Sequence, residues 1–355
     1  MLRPNGPSFL LCSVFLLACV GQPLDEDVSQ REDAIIYGED DRLDVIDHPD
    51  ALLQDIAVRS VGGLIDRRLV DPSGTIRTAT ASQRIEATFG VPYCEDEPFR
   101  DQPAPMDCSG VLIDEDLFLT AAHCVPTQDF CDDLSVVLGY RIQAGGDPRP
   151  LTPEDVYDCA SIEVVSYLRD YAIIKLDRPV SGDHAPALVR QGPDPVRPGD
   201  LLSVIGHPSG TPMKIDDGTT AGASYDPGIE SFLFRGDVVA GSSGSPVFNR
   251  AGEVLGVVSR GQEEPFRVTS TCVEVQREAA GEPGTEIAGY IYRAMHDLCA
   301  AGRGSRTLCA DSDAWCEGEC GGGGCSIGTR GSSSGWALVG ALVGLGLLRR
   351  RRSRR

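Results

Sequence analysis

Positive charge is scarce in this chain. Its 355 residues carry 32 Lys+Arg against 53 Asp+Glu, a net charge of -21 with a pI near 4.6. That balance excludes general nucleic-acid binding through a basic surface. Lysine is nearly missing, with only Lys175 and Lys214, so arginine supplies the rest. Long apolar runs are lacking too. The longest, Phe9–Ala18 and Trp336–Leu348, are too short to span a bilayer comfortably, since about 20 apolar residues are needed. There is no internal repeat, and only five histidines. Apolar residues are not scarce. A hydrophobic fraction of 41% excludes wholesale disorder.

Cysteine is abundant. Thirteen cysteines are too many for an ordinary cytosolic enzyme and point to an oxidising compartment. The two ends read as addresses. Residues 1–19 have the form of a secretory signal, with Arg3 ahead of the apolar run. Leu16-Leu17-Ala18-Cys19 resembles a bacterial lipobox, the alternative being an ordinary signal with a chance cysteine. The C-terminus runs from Cys320-Gly-Gly-Gly-Gly-Cys325-Ser326 through Trp336–Leu348 to Arg349–Arg355. That order resembles a myxobacterial sorting tail of the MYXO-CTERM type, in which the apolar part is removed. A short permanent anchor helix is the plainer reading of the same stretch. With the eight arginines of the two ends set aside, residues 20–325 keep 24 basic against 53 acidic residues, a net of -29. Five parts are expected: a signal (1–19), an acidic leader (20–33), a main domain (34–300), a Cys/Gly/Ser-rich stalk (301–334) and a sorting or membrane tail (335–355). Export to the cell surface or outer membrane, or secretion after tail processing, follows from the ends.

Between Val111 and Ser259, short β-branched runs alternate with turns rich in Gly, Pro and Asp. The runs are Val111–Ile113, Val136–Tyr140, Ala172–Leu176, Leu201–Ile205 and Val254–Ser259, an all-β pattern. Near the end, Ile287, Tyr290, Ile291, Ala294, Met295 and Leu298 recur at helical spacing and predict one helix.

Three segments carry chemistry: Cys108-Ser-Gly-Val-Leu-Ile113 with Leu119-Thr-Ala-Ala-His123-Cys124, Leu168-Arg-Asp170-Tyr, and Ala240-Gly-Ser-Ser243-Gly-Ser-Pro246. Hydrolysis by serine needs a hydroxyl, an imidazole to take its proton, and a carboxylate to fix the imidazole tautomer. It also needs backbone donors for the oxyanion, which glycines around Ser243 would help aim. Taken singly, each residue has a plain alternative: a core histidine, a strand-end charge, a flexible turn. A hydrolase elbow with His296 after Ser243 is a further alternative, but nothing recognisable surrounds His296.

Together the segments resemble the trypsin/chymotrypsin superfamily over roughly residues 34–300, in the order His, Asp, Ser. The resemblance implies two packed six-stranded antiparallel β-barrels with a C-terminal helix. It implies His123 as general base, Asp170 as its orienting carboxylate and Ser243 as nucleophile. Gly241 and Ser243 would supply the oxyanion amides, and Cys108 would pair with Cys124. Within the superfamily, Ile36-Tyr-Gly-Glu-Asp-Asp-Arg42 and Val204-Ile-Gly-His-Pro-Ser-Gly210 resemble the secreted bacterial branch that includes glutamyl endopeptidases. Asp237, Ser259, Arg260 and Gly261 are the candidate substrate-binding residues. Asp237 lies six residues before Ser243, where an acid would pair a Lys or Arg side chain; the rival reading gives it no such role. Val258 stands where glutamyl enzymes use a histidine, so strict Glu specificity is disfavoured. Arg260 would favour acidic groups further along the substrate. Ser242 is neutral where an activation pair needs an acid, so no trypsin-style activation switch is expected at Arg59.

Ten cysteines (Cys94, Cys108, Cys124, Cys131, Cys159, Cys272, Cys299, Cys309, Cys316 and Cys320) are left as disulfide formers. A zinc site at Cys309, Cys316 and Cys320 is the rival, weakened by the absence of a nearby histidine. No metal and no cofactor is implied. The expected function is an exported, surface-anchored serine endopeptidase acting on protein or peptide substrates. Its partners would be those substrates and the cell envelope, with no nucleic acid. The alternative is an inactive protease-like binding module.

Overall fold

The computed structural model describes residues 36–310, apart from 191, 193, 227–229, 262–265 and 280–281. The signal, the leader and the sorting tail therefore lie outside the described residues, as does a second unit, Cys316–Arg355. Among the described residues no helix is long and apolar enough to cross a membrane.

The chain opens with two short strands, β1 (Ile36–Tyr37) and β2 (Leu43–Asp44), and a helix, α1 (Ala51–Ser60). Asp50 caps α1 by accepting from Leu52 N and Leu53 N, which satisfies donors that the first turn leaves free. Strand β3 (Val61–Asp66) enters the first barrel. A long excursion follows, carrying α2 (Ala81–Phe89), whose Thr80 and Gln83 form a reciprocal capping box. The barrel continues with β4 (Cys108–Asp114), β5 (Leu117–Thr120), the short α3 (Gln128–Asp132), β6 (Leu134–Leu138), β7 (Val156–Ser166) and β8 (Tyr171–Leu176). Its ring closes in the order β3-β4-β5-β8-β7-β6, every pairing antiparallel. Leu64, Leu112, Phe118, Val136, Tyr157 and Ile174 fill it, each at most 1% exposed.

After β9 (Leu188–Val189) come β10 (Leu202–Gly206), β11 (Lys214–Asp216), β12 (Thr220–Asp226), β13 (Ser231–Arg235), β14 (Pro246–Asn249) and β15 (Glu253–Arg260). A hairpin of β16 (Phe266–Val268) and β17 (Val273–Val275) follows. Then come β18 (Arg277–Glu278), β19 (Glu286–Tyr290) and the helix α4 (Ile291–Ala300). Six of these strands run in the order β12-β13-β19-β15-β14-β10. The ring is completed by a bridge between Leu201 and Thr220, with Leu202 N donating to Thr219 O at 3.0 Å. The chymotrypsin-like double barrel expected from the sequence is thus the fold, with its second ring closed by that short bridge and by the Gly199–Ala221 and Ala221–Asp200 backbone bonds beside it.

The five strand-like runs fall on β4, β6, β8, β10 and β15. The terminal helix is present but starts later than its periodicity suggests. Ile287 and Tyr290 belong to β19, which pairs with both β13 and β15, and only Ile291 onward is helical. Three residues apart, Ile287 and Tyr290 lie on opposite faces of β19, and because that strand is buried on both faces its apolar residues extend the helical spacing by accident. The first residues of the expected stalk pack back on the first barrel. Ser305 N donates to Asp114 at 3.1 Å, and Arg303 lies 3.4 Å from Glu163.

Among the described residues four disulfides form: Cys94–Cys272, Cys108–Cys124, Cys131–Cys159 and Cys299–Cys309. Cys309 is therefore bonded to Cys299, which removes a thiolate from the zinc alternative. Cys316 and Cys320 lie outside the described residues.

Candidate active site

His123 follows the end of β5, in a single turn of 3-10 helix whose flanking Ala121 and Ala122 are fully buried. The Cys108–Cys124 bond ties that turn back to the start of β4. Asp170 closes the turn between β7 and β8 with φ +53°, a left-handed conformation that Asp tolerates better than most side chains. From there its carboxylate reaches the histidine twice over. Oδ1 accepts from His123 N at 3.0 Å, and Oδ2 lies 2.8 Å from His123 Nδ1. Ser259 Oγ, on β15, donates to Asp170 Oδ2 at 2.6 Å. Burial by itself would raise the Asp170 pKa. The hydrogen bonds and charge of His123 and the Ser259 hydroxyl outweigh it and hold the carboxyl below its ordinary value. An ionised Asp170 keeps the proton on Nδ1 and leaves Nε2 as the basic nitrogen.

Ser243 sits half-buried in the turn before β14. Two glycines allow that turn. Gly241 has φ +90° and Gly244 φ +78°. A Cβ at Gly244 would meet Ser109 O and Thr120 Oγ1 at 2.3 Å each, so no side chain fits. Ser109 fixes the turn from the first barrel: its N donates to Ser243 O at 2.8 Å, and its Oγ donates to Gly241 O at 2.8 Å. Ser209 N donates to Ala240 O at 2.6 Å. Because a trans peptide points its C=O and N–H in opposite directions, that bond aims the Gly241 N–H away from Ser209. Within the turn Ser242 N donates to Val239 O, Gly244 N to Val258 O and Ser245 N to Ser242 O. Among the described residues these bonds leave the Gly241 and Ser243 amides outside the turn's own ladder.

The arrangement is a closed circuit. Ser243 is held by Ser109 beside Cys108, Cys124 adjoins His123, His123 binds Asp170, and Asp170 binds Ser259. Val258, next to Ser259, then returns to Gly244 and Ser245. Both barrels contribute, so the site depends on their packing. Ser109 and Ser209 were not singled out in the sequence, though Ser109 lies inside the Cys108-Ser-Gly segment. His296 does not join this circuit; its Nδ1 lies 3.2 Å from its own neighbour Asp297. His207 is fully buried and donates through Nδ1 to Thr211 O, and burial pushes its pKa down to about 4, so it stays neutral. Cys108, His123 and Cys124 cluster closely enough to suggest metal ligands, but both sulfurs are locked in a disulfide.

The candidate substrate-binding residues separate into two groups. Ser259 and Arg260 line a hollow beside Asp170, together with Leu168 and Arg169, and half-buried Gly261 follows them. Asp237 is elsewhere engaged. It is 5% exposed, and its Oδ1 accepts from Tyr37 N at 2.8 Å while Oδ2 accepts from Asp41 N at 3.2 Å. Tyr37 belongs to β1, which pairs in parallel with β18, and Ile36 is fully buried against Tyr93, Val239, Val273 and Val275. The 36–42 segment therefore straps the underside of the loop that leads into Ser243. At Arg59, by contrast, the chain passes directly from α1 into β3, and Val61 is paired with Val111 inside the first barrel.

Three acids crowd this strap. Burial raises Asp237 to about 7 and Glu286 to about 7, and burial with the nearby Asp237 charge pushes Asp216 well above the carboxylate range. Such groups hold their protons in the folded state at pH values where the unfolded chain has lost them. Stability must then fall as pH rises from about 4 to about 7, on the order of 1 kcal/mol per pH unit for each such carboxyl. Asp170, with a lowered pKa, acts in the other direction below about pH 4. His207, kept neutral by burial, opposes part of the fall between about pH 4 and about pH 6.5, one histidine against three carboxyls. Thermal unfolding is expected to show a higher Tm at pH 5 than at pH 8, with the slope flattened in Asp237→Asn. A Tm that climbs steadily from pH 5 to pH 8 contradicts this.

The double barrel is chymotrypsin-like, and it joins His123, Asp170 and Ser259 in one hydrogen-bonded chain linked through neighbouring residues to the Ser243 turn. Residues 108–257 match the trypsin-like peptidase domain. The snake venom serine protease Haly-2 of Gloydius brevicauda is 27% identical over 178 residues, covering 43% of this chain and 67% of that protein. The snake venom serine protease Dav-KN of Deinagkistrodon acutus is 30% identical over 113 residues, covering 30% of this chain and 41% of that one. Among solved structures, an inactive form of a Mycobacterium tuberculosis protein aligns over 72% of this chain and 91% of its own, with 14% identity and a TM-score of 0.39. Human heparin binding protein aligns over 53% of this chain and 82% of its own, with 18% identity and a TM-score of 0.39. The domain match and the venom proteases support a serine protease of the trypsin/chymotrypsin superfamily.

Proposed function

We propose that this protein is an exported serine endopeptidase that cleaves peptide bonds through an acyl-enzyme on Ser243. The observation that carries the reading is the complete His123–Asp170–Ser259 hydrogen-bond chain beside a Ser243 turn built on two positive-φ glycines. In this mechanism His123 Nε2 takes the Ser243 proton as Oγ attacks the substrate carbonyl. Asp170 stabilises the imidazolium that forms, and the same proton passes to the leaving amine. The Gly241 and Ser243 amides face the developing oxyanion, and water then repeats the sequence in reverse to release the acid. No trypsin-style switch enters this scheme, since Ser242 is neutral and Val61 is already committed to the barrel.

Export is supported by the signal-like residues 1–19 and by four disulfides, which persist in oxidising compartments. Attachment to the cell envelope through Cys19 or the MYXO-CTERM-like tail, and kinship with the glutamyl-endopeptidase branch, remain proposals from sequence resemblance. The inactive-module alternative is disfavoured because none of the three triad residues is missing.

An organophosphate serine probe tests the reading directly. Wild-type protein is expected to label on a single peptide containing Ser243, and Ser243→Ala is expected not to label. Absence of label on well-folded wild type would favour the binding module.

A further inference from the structure

We propose that the hollow beside Asp170 is a subsite for an acidic side chain of the substrate, recognised by Arg260, Arg169 and the Ser231 hydroxyl. The proposal rests on the peptidase reading and adds a substrate class to it.

The hollow is a shallow, solvent-open depression walled by Leu168, Arg169, Ser231, Ser259, Arg260 and Ile287. It belongs to the catalytic neighbourhood. Ser259 donates to Asp170, and Leu168–Arg169 immediately precede Asp170 in the chain.

Its chemistry selects for negative charge. Arg293 grips the Glu230 carboxylate through Nε and Nη2, which leaves Arg169 a poorer share of it. Arg169 Nε lies 3.3 Å from Glu230 Oε2, inside ion-pair range, but without a hydrogen bond. Asp170, the other carboxylate at this end, is bound by His123 and Ser259. Among the described residues, Arg169 and Arg260 line the hollow, while the carboxylates beside it, Glu230 and Asp170, already have partners. In a chain of net charge -21, such a local excess of positive charge stands out.

A second observation points to a missing ligand atom. Ser231 is 3% exposed, and its Oγ has no hydrogen-bond partner among the described residues, although it lines the hollow. A buried hydroxyl without a partner is costly, and a carboxylate oxygen entering the hollow would accept from it. Arg260 is exposed at the rim and offers the fork of N–H donors that suits a carboxylate. Leu168, 64% exposed, and Ile287 supply an apolar wall for the methylene stem of glutamate.

The test uses fluorogenic peptides carrying Glu, Gln or Lys in turn at each of the four positions on either side of the scissile bond. At one position Glu is expected to exceed Gln about tenfold in kcat/KM, as a charge-assisted hydrogen bond allows, and to lose ground as salt rises. Arg260→Gln is expected to bring the Glu peptide down to the Gln peptide, and Arg260→Glu to turn the preference toward Lys. Ser231→Ala is expected to reduce the preference severalfold. Glu263 and Glu264 follow Arg260 outside the described residues. The same preference must persist when both are replaced by glutamine. If Ser243 labels and peptides are cleaved with no position favouring Glu over Gln by more than about twofold, the subsite is wrong and the peptidase stands. The same holds if the preference survives Arg260→Glu. If Ser243 neither labels nor supports cleavage, the peptidase reading fails and the subsite fails with it.

Discussion

Ser243→Ala is expected to lower kcat/KM on a good peptide substrate by about a millionfold, and Asp170→Asn by about ten-thousandfold. The two losses have different origins. Alanine removes the attacking oxygen, so only binding and the oxyanion amides remain to act on water. Asparagine keeps nearly the same shape but presents an N–H toward His123 Nδ1, where Asp170 now accepts at 2.8 Å. The imidazole must then place its proton on Nε2, the nitrogen that should receive the Ser243 proton. Because the residues act as one unit, the double variant is expected to be no slower than Ser243→Ala alone. Both single variants should keep the wild-type fold, since the Cys108–Cys124 bond, the Ser109 contacts and the barrel cores are untouched. Steady-state kinetics with melting curves as a folding control make the check. Asp170→Asn activity within tenfold of wild type would remove Asp170 from the mechanism.

The candidate catalytic residues stand out in the sequence because each lies in a short, chemically unusual stretch. Two alanines and a cysteine crowd His123, glycines bracket Ser243, and a β-branched run follows Asp170. Their local conformations depend on those neighbours, so sequence and geometry agree there. The strands were legible by alternation wherever one face is buried, as in β4 and β8. What escaped were contacts set by distant parts of the chain. Ser109 supports two carbonyls of a turn more than 130 residues away, and nothing in its own segment says so. Cys94 finds Cys272 across a separation of 178 residues, which no spacing rule encodes. The capping box at Thr80 and Gln83 was visible as a four-residue pattern and could have marked α2. The expected helix started too early because β19 is buried on both faces, so its apolar residues do not alternate and fall at helical spacing by accident.

Asp237 is the sharpest case of a residue whose position in sequence and position in space argue for different roles. Six residues before the nucleophile, it reads as a pocket charge for Lys or Arg. In the structure both carboxylate oxygens accept backbone N–H groups from Tyr37 and Asp41. Asp237→Ala strips the acceptors from two amides in a buried setting, at about 1–3 kcal/mol each, so a stability loss of about 2–6 kcal/mol is expected. The damage should not stay local. Val239, two residues on, packs against Ile36 of the strap, its N donates to Ser242 Oγ, and its carbonyl accepts from Ser242 N. A loosened strap would therefore disturb the peptides that aim the Gly241 and Ser243 amides, with a fall in kcat/KM of about a hundredfold or more. That fall should be similar for every residue before the scissile bond. A lost pocket charge would behave otherwise, removing cleavage after Lys and Arg while sparing the rest. Asp237→Asn, which keeps one carbonyl acceptor, should be intermediate in both stability and rate. Profiling the variants on a peptide library alongside urea unfolding separates the two roles. A stable Asp237→Ala enzyme that has lost only its Lys and Arg substrates would show that the carboxylate reads substrate and that the strap does not need it.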